Sequence, residues 1–161
     1  MTYPNHLRVL ALDLATNVGW AMLANGILDH GEQANHRKHG LKRTPDEHPG
    51  IAYHRFDSWL TDFLNEQKPA QIVTEYSGFF KSAAARDICC GFRGILLAQC
   101  AKRDIPLFSY SPAHIKKFWT GAGNADKDMM ITSAAVHGFT DVGPDETDAI
   151  AMLHLHLSHS R

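Results

Sequence analysis

Four acids in this sequence stand where they could act together: Asp13, Glu75, Asp145 and Asp148. Asp13 ends the run Val9-Leu10-Ala11-Leu12-Asp13, and Glu75 ends Gln71-Ile72-Val73-Thr74-Glu75. The first run is apolar on both faces and the second largely apolar, the pattern of strands covered on both sides. Alternation places Asp13 with Val9 and Ala11, and Glu75 with Val73. A carboxylate on such a face is costly to bury unless a cation or hydrogen-bond donors meet it. If the two strands are parallel neighbours, about 4.8 Å apart, both carboxylates can reach one ion. They would then lie at the carboxyl ends of the strands, where open α/β sheets bind ligands.

Asp145 and Asp148 are three residues apart and share one helical face, which continues through Met152 and Leu155. Two compatible readings stay open for them. Asp145 is an N-cap with Asp148 completing a capping box, or both acids join Asp13 and Glu75. Four carboxylates at one spot raise each other's pKa unless divalent cations occupy the site. Oxygen-only ligands suit Mg²⁺ or Mn²⁺ better than zinc. A pair of such ions is the equipment for in-line hydrolysis of a phosphodiester.

The elements that must position these acids follow from periodicity and turn signals. After the first strand, Gly19–Ala24 and Ile27–Gln33 flank Asn25-Gly26, a strong hairpin signal, so the first three strands read as an antiparallel meander. Ile51–Glu66 has helical spacing and ends at Lys68-Pro69. Ser82–Lys102 reads as a long helix rich in small residues, whose Gly91 and Gly94 predict close approach of the sheet or of a second subunit. Pro106–Tyr110 is expected to be a third buried strand, with Ser111 capping a short helix that Pro112 opens and Gly121-Ala122-Gly123-Asn124 breaks. Asp126–His137 and Asp145–Leu157 complete the helices. This order predicts one mixed α/β domain over residues 1–161, its five-stranded sheet antiparallel at first and parallel after.

Composition bounds the function classes. The chain has 161 residues, 44% hydrophobic and 20% charged, which is ordinary for a globular domain. No apolar run reaches the length of a membrane span and the first residues lack signal-peptide character, so no membrane role is expected. Cys89, Cys90 and Cys100 cannot build a four-cysteine zinc site and read as small buried thiols in a reducing compartment. The net charge of −1 is unevenly spread: residues 76–127 carry a net +5 that includes Lys81, Arg86, Lys116 and Lys127, and residues 128–161 a net −4. A basic middle beside an acidic end reads either as a phosphate-binding surface next to a metal cluster or as one solvated helix face. The basic run at residues 36–43 is a surface loop or a phosphate-touching flap.

At this point a resemblance becomes specific. The strand ending Leu12-Asp13, the strand ending Thr74-Glu75, Gly121-Ala122-Gly123-Asn124-Ala125-Asp126-Lys127 and Asp145-Glu146-Thr147-Asp148-Ala149-Ile150-Ala151 resemble, in order and separation, a RuvC-type Holliday-junction resolvase of the ribonuclease H-like superfamily. The resemblance covers roughly residues 8–156. It implies a ribonuclease H-like fold, with Asp13, Glu75, Asp145 and Asp148 as ligands of Mg²⁺ (Mn²⁺ substituting), two ions per site. It implies Lys127 beside the scissile phosphate and Lys116 as a second basic contact. It further implies a cytoplasmic homodimer, formed through the 82–102 helix, that cuts two opposed strands of a four-way DNA junction and leaves 5′-phosphates.

The chain departs from the family at two places. Leu14-Ala15-Thr16 follows Asp13 where Asp-Pro-Gly is usual, and Gly78 stands where an aromatic wedge is expected. Phe79 and Phe80 either stack on unpaired bases in its place or pack at the foot of the next helix. With Lys81 and Arg86 they complete the expected DNA contacts. These departures fit a divergent, phage-type member.

Other signals have plainer readings. His154, His156 and His159 read as helix-end cations complementing the dipole, His114 and His137 as structural or surface residues, and Trp20, Trp59 and Trp119 as core or interface anchors. Two other function classes stand beside the nuclease. Asp13–Gly19 also resembles the first phosphate loop of actin-like and sugar-kinase ATPases, which need two such domains. A non-catalytic junction-binding protein is opposed by acids that would repel DNA phosphates.

Overall fold

Residues 5–34, 48, 50–76, 80 and 82–159 are described in a computed structural model of the chain. β1 (Arg8–Asp13) is the middle strand of the sheet, and Val9, Leu10, Ala11 and Leu12 are each at most 1% exposed. β2 (Asn17–Ala24) returns antiparallel to it, and β3 (Ile27–Ala34) follows through Asn25-Gly26. Both turn residues take positive φ, 53° and 75°, which asparagine and glycine tolerate and which matches the twist of a two-residue hairpin.

α1 (Ile51–Gln67) stops where Lys68 turns left-handed and donates its N–H to Leu64, and Pro69 prevents continuation. β4 (Gln71–Glu75) then enters the sheet parallel to β1. α2 (Ala83–Arg103) is capped by Ser82, whose hydroxyl accepts from Ala85 N–H, and it leads to β5 (Leu107–Tyr110), parallel to β4. α3 (Pro112–Thr120), α4 (Lys127–Val136) and α5 (Pro144–His159) follow. The strand order is β3-β2-β1-β4-β5, a five-stranded mixed sheet with the antiparallel and parallel halves expected from the sequence.

Alternation along β1 divides the core in two. Leu10, Leu12, Val18, Met22 and Ile72 face α1 and α2, where Phe56 and Phe92 stack with ring centroids 4.3 Å apart. Val9, Ala11, Ala21, Leu23 and Val73 face α5, with α3 and α4 packed outside it. α5 is therefore enclosed: Thr147 and every residue from Ala149 to His156 are buried. Each large apolar side chain removed from water in these layers contributes about 1.5–3 kcal/mol, so burial on both faces holds the sheet and α5 together.

Four expectations are corrected. β5 is not buried: it is the edge strand, Ser109 is exposed and Phe108 is 39% exposed. Of the cysteines only Cys100 is buried, while Cys89 is intermediate and Cys90 exposed. His154 and His156 are buried, not solvated cations; burial holds His154 down at about 4, helped by His137, and lowers His156, helped by His159. Both are neutral at pH 7, and His156 is held between the Tyr110 hydroxyl and Gln71. Finally, Gly91 serves packing within the chain, because a Cβ there would collide with the Tyr53 ring of α1, whereas Gly94 has open space. Trp119 is a core anchor as expected, its Nε1–H donating to the Met130 carbonyl.

Candidate metal centre

The parallel register of β1 and β4 pairs Val9 with Gln71 and Leu12 with Thr74, so the next positions, Asp13 and Glu75, stand side by side at the carboxyl ends. Both side chains leave the sheet on the α5 face, because Leu12 and Thr74 occupy the other. On the far side of Asp13 its partner in β2 is Gly19. A Cβ on Gly19 would collide with the backbone of Asp145 and Glu146. The first turn of α5 therefore lies directly on β2, which brings Asp145 and Asp148 over the end of β1. Gly19 is a site-forming residue that the sequence reading missed. Its signal was a glycine inside a strand, which often marks close approach of another backbone.

The start of α5 decides between the two readings of its acids. The helix begins at Pro144, and Glu146, not Asp148, closes the capping interaction: Gly143 N–H donates to Glu146 Oε2 at 3.0 Å. Gly143 carbonyl accepts from Thr147 N–H, so Gly143 occupies the cap position. Asp145 as N-cap with Asp148 completing its box is thus corrected. Neither acid is used as the cap, and both are partly buried.

Electrostatics show that the four acids share one environment. Asp13 is pushed well above the usual carboxylate range by burial, then by Asp148, Glu75 and Asp145. Burial, then Asp148, raises Glu75 to about 7. Burial, then Asp145, raises Asp148 to about 6. Asp145 is raised by burial and held back by Lys127, whose Nζ lies 4.0 Å from Asp145 Oδ1. Lys116, on α3, lowers both Glu75 and Asp148. Among the described residues no hydrogen bond meets the carboxylates of Asp13, Glu75 or Asp148. Two lysines on the rim do not compensate four acids, and a set of oxygen donors in this state suits hard divalent cations. Among the described residues no three His, Cys, Asp or Glu side chains stand close enough together to hold an ion.

The remaining expected contacts are distributed more widely. Arg86 is exposed on α2 and pairs with neighbouring Asp87 at 3.5 Å. Phe80 is 36% exposed. Phe79, Lys81, the wedge position Gly78 and the basic run 36–43 lie outside the described residues. Tyr76, directly after Glu75, is 61% exposed and carries the Arg93 guanidinium 5.2 Å above its ring, a pair not anticipated from the sequence.

A mixed sheet of this order, with acids ending two adjacent parallel strands and two more on the helix laid across them, defines a ribonuclease H-like domain. A family model described as crossover junction endodeoxyribonuclease RuvC matches residues 17–156. The chain belongs to this family. Glu75, Lys116, Lys127, Asp145 and Asp148 fall within the matched range, and Asp13 just before it.

A relative from Anaeromyxobacter sp. (strain Fw109-5), a crossover junction endodeoxyribonuclease RuvC, is 34% identical over 102 residues, 62% of this chain and 48% of that protein. One of the same name from Halorhodospira halophila is 27% identical over 156 residues, covering 94% of this chain and 90% of the relative. Among solved structures, Thermus thermophilus RuvC in complex with Holliday junction substrate superposes with a TM-score of 0.75 at 18% identity, over 97% of this chain and 96% of that one. The yeast mitochondrial Holliday junction resolvase gives 0.64 at 18% identity, over 100% and 84%.

Proposed function

We propose that this chain, a single domain over residues 1–161, is a metal-dependent, structure-selective DNA endonuclease. It resolves Holliday junctions or related branched DNA by paired phosphodiester hydrolysis. The observation that carries the chemistry is geometric: the parallel register sets Asp13 beside Glu75 at the carboxyl ends of β1 and β4, and the contact at Gly19 lays the first turn of α5, with Asp145 and Asp148, over them. Asp13, on the buried central strand, would hold the metal together with Glu75, Asp145 and Asp148. Mg²⁺ or Mn²⁺ held there would supply an activated water and neutralise charge at the leaving oxygen. Lys127 and Lys116 hold the scissile phosphate from the rim, and Lys81, Arg86, Phe79 and Phe80 contact the DNA arms. A homodimer through α2, whose exposed face carries Cys90, Gly94, Leu97 and Ala98, would present two such sites to opposed strands. The expected setting is the cytoplasm.

The test is cleavage of four-way, Y-shaped, flap and linear duplex DNA side by side in Mg²⁺. Paired nicks in the four-way substrate, with 5′-phosphate ends and little cutting of linear duplex, are expected. Equal cutting of linear duplex would overturn the structure-selective part of the proposal, and a monomeric mass at micromolar concentration the paired-cut part.

A second prediction concerns stability. Acids whose pKa rises on folding take up protons as the chain folds, so they favour the folded state at low pH. That contribution is whole below the usual carboxylate range, about 4, and is lost as pH rises through about 6 for Asp148 and about 7 for Glu75. This term predicts that the metal-free chain melts higher at pH 6 than at pH 8. Mn²⁺ at about a hundred times its dissociation constant should restore about 2.7 kcal/mol at pH 8, with a smaller gain at pH 6, where protons compete for the same oxygens. Melting curves indifferent to Mn²⁺ at pH 8 would contradict a metal site.

A further inference from the structure

β3 lies two strands from Asp13, yet it holds the first turn of α5. Its register places Glu32 opposite Gly19, which in turn faces Asp13, so Asp13, Gly19 and Glu32 form a row across the sheet. The backbone of Asp145 and Glu146 lies on the glycine in the middle of that row. On the outer side, the Glu32 carboxylate faces the backbone N–H of Glu146. It also packs on Gly143 so closely that a Cβ there would strike Oε1.

Glu146 reaches back in two directions. Its Oε2 accepts from Gly143 N–H at 3.0 Å, and its Oε1 lies 2.5 Å from Nδ1 of His30, two residues before Glu32 on β3. The His30 ring also meets Phe139, in the segment preceding α5, edge-on at 5.6 Å. Helix ends fray because their first N–H groups lack partners within the helix. Here the N–H of Glu146 faces Glu32 of β3, and the cap residue Gly143 packs on the same side chain.

We infer that His30, Glu32 and Glu146 are positioning residues of the metal centre: they clamp the first turn of α5 to β3 and so set where Asp145 and Asp148 stand relative to Asp13. This rests on the metal-dependent nuclease reading above. The body of α5 is enclosed by the sheet, α3 and α4 and does not need the clamp. Loosening the clamp therefore acts on the two acids in the first turn more than on the fold. Residues that orient metal ligands in this way typically change affinity or activity by about 10–100-fold when removed.

The test is calorimetric titration of the full chain with Mn²⁺ alone, followed by the Mn²⁺ dependence of four-way junction cleavage. Glu146→Ala and His30→Ala should each weaken Mn²⁺ binding about tenfold. The Mn²⁺ concentration for half-maximal cleavage should shift by the same factor, while the rate at saturating Mn²⁺ stays within about threefold of the parent. His30→Asn, which keeps an N–H donor near the Nδ1 position, should recover most of the affinity. If Glu146→Ala does not fold, His30→Ala decides, because that side chain is 29% exposed. Alanine variants that melt lower but bind Mn²⁺ like the parent would make the clamp merely structural and overturn the inference. A parent chain that binds no Mn²⁺ would remove the metal reading, and this inference with it.

Discussion

Asp13→Asn should abolish cleavage while leaving junction binding intact. The substitution is nearly isosteric, but it replaces a carboxylate proposed to hold metal with an amide whose NH₂ faces carboxylates. Metal stabilisation of transition-state charge is worth several kcal/mol, so the single-turnover rate should fall by about a thousandfold or more. Binding, measured by mobility shift in Ca²⁺, should change little, because the cations proposed to contact DNA lie on other elements. The same variant should melt no lower, and without metal should melt higher than the parent. Burial, then Asp148, Glu75 and Asp145, oppose the ionisation of Asp13, and neutralising it removes that repulsion. Loss of activity with equal or greater stability separates a functional acid from a structural one. Unchanged cleavage by Asp13→Asn would end the proposed mechanism.

Gly19→Ala should reduce cleavage about a hundredfold from a single methyl group. The added Cβ would run into the main chain of Asp145 and Glu146, which cannot rotate away as a side chain would. β2 is fixed by pairing on both sides, so α5 has to lift at its first turn. A displacement of about 1 Å at catalytic groups costs about 10²-fold, and over-packing of this kind costs about 1–3 kcal/mol of stability. Single-turnover cleavage and urea denaturation measured on one preparation check both numbers. Cleavage at the parent rate would show that α5 does not rely on this contact.

The legible parts of the fold were those with a strong local signal. β1 and β4 could be read because their two-sided apolar character and terminal acids survive any reasonable alignment of the sheet. The β2–β3 hairpin could be read because Asn25-Gly26 demands positive φ. β5 was misplaced as buried because Pro106-Leu107-Phe108 looks like core, and hydrophobicity does not reveal that the strand ends the sheet. Of the two readings left open for Asp145 and Asp148, the cap reading lay two residues from the cap that forms at Gly143. A three-residue spacing fits Gly143 with Glu146 as well as Asp145 with Asp148, although Pro144 at the first helical position favoured the former. His154 and His156 looked like solvated cations until α5 proved to be enclosed on all sides. The link between His30 and Glu146 joins residues far apart in the chain and has no local signal at all.

Of the candidate site, the four acids and Lys127 could be picked out through ordered motifs. Gly19, Glu32, His30 and Glu146, which place those acids, became visible only once β2, β3 and α5 were assembled.

The most direct measurement is cleavage of an end-labelled four-way DNA junction by the full chain in Mg²⁺ and, in parallel, in excess chelator. Symmetric nicks in Mg²⁺ that vanish in chelator and return when Mg²⁺ is restored are the predicted result. Cleavage that proceeds equally in chelator would contradict the proposal that Asp13, Glu75, Asp145 and Asp148 act by holding metal.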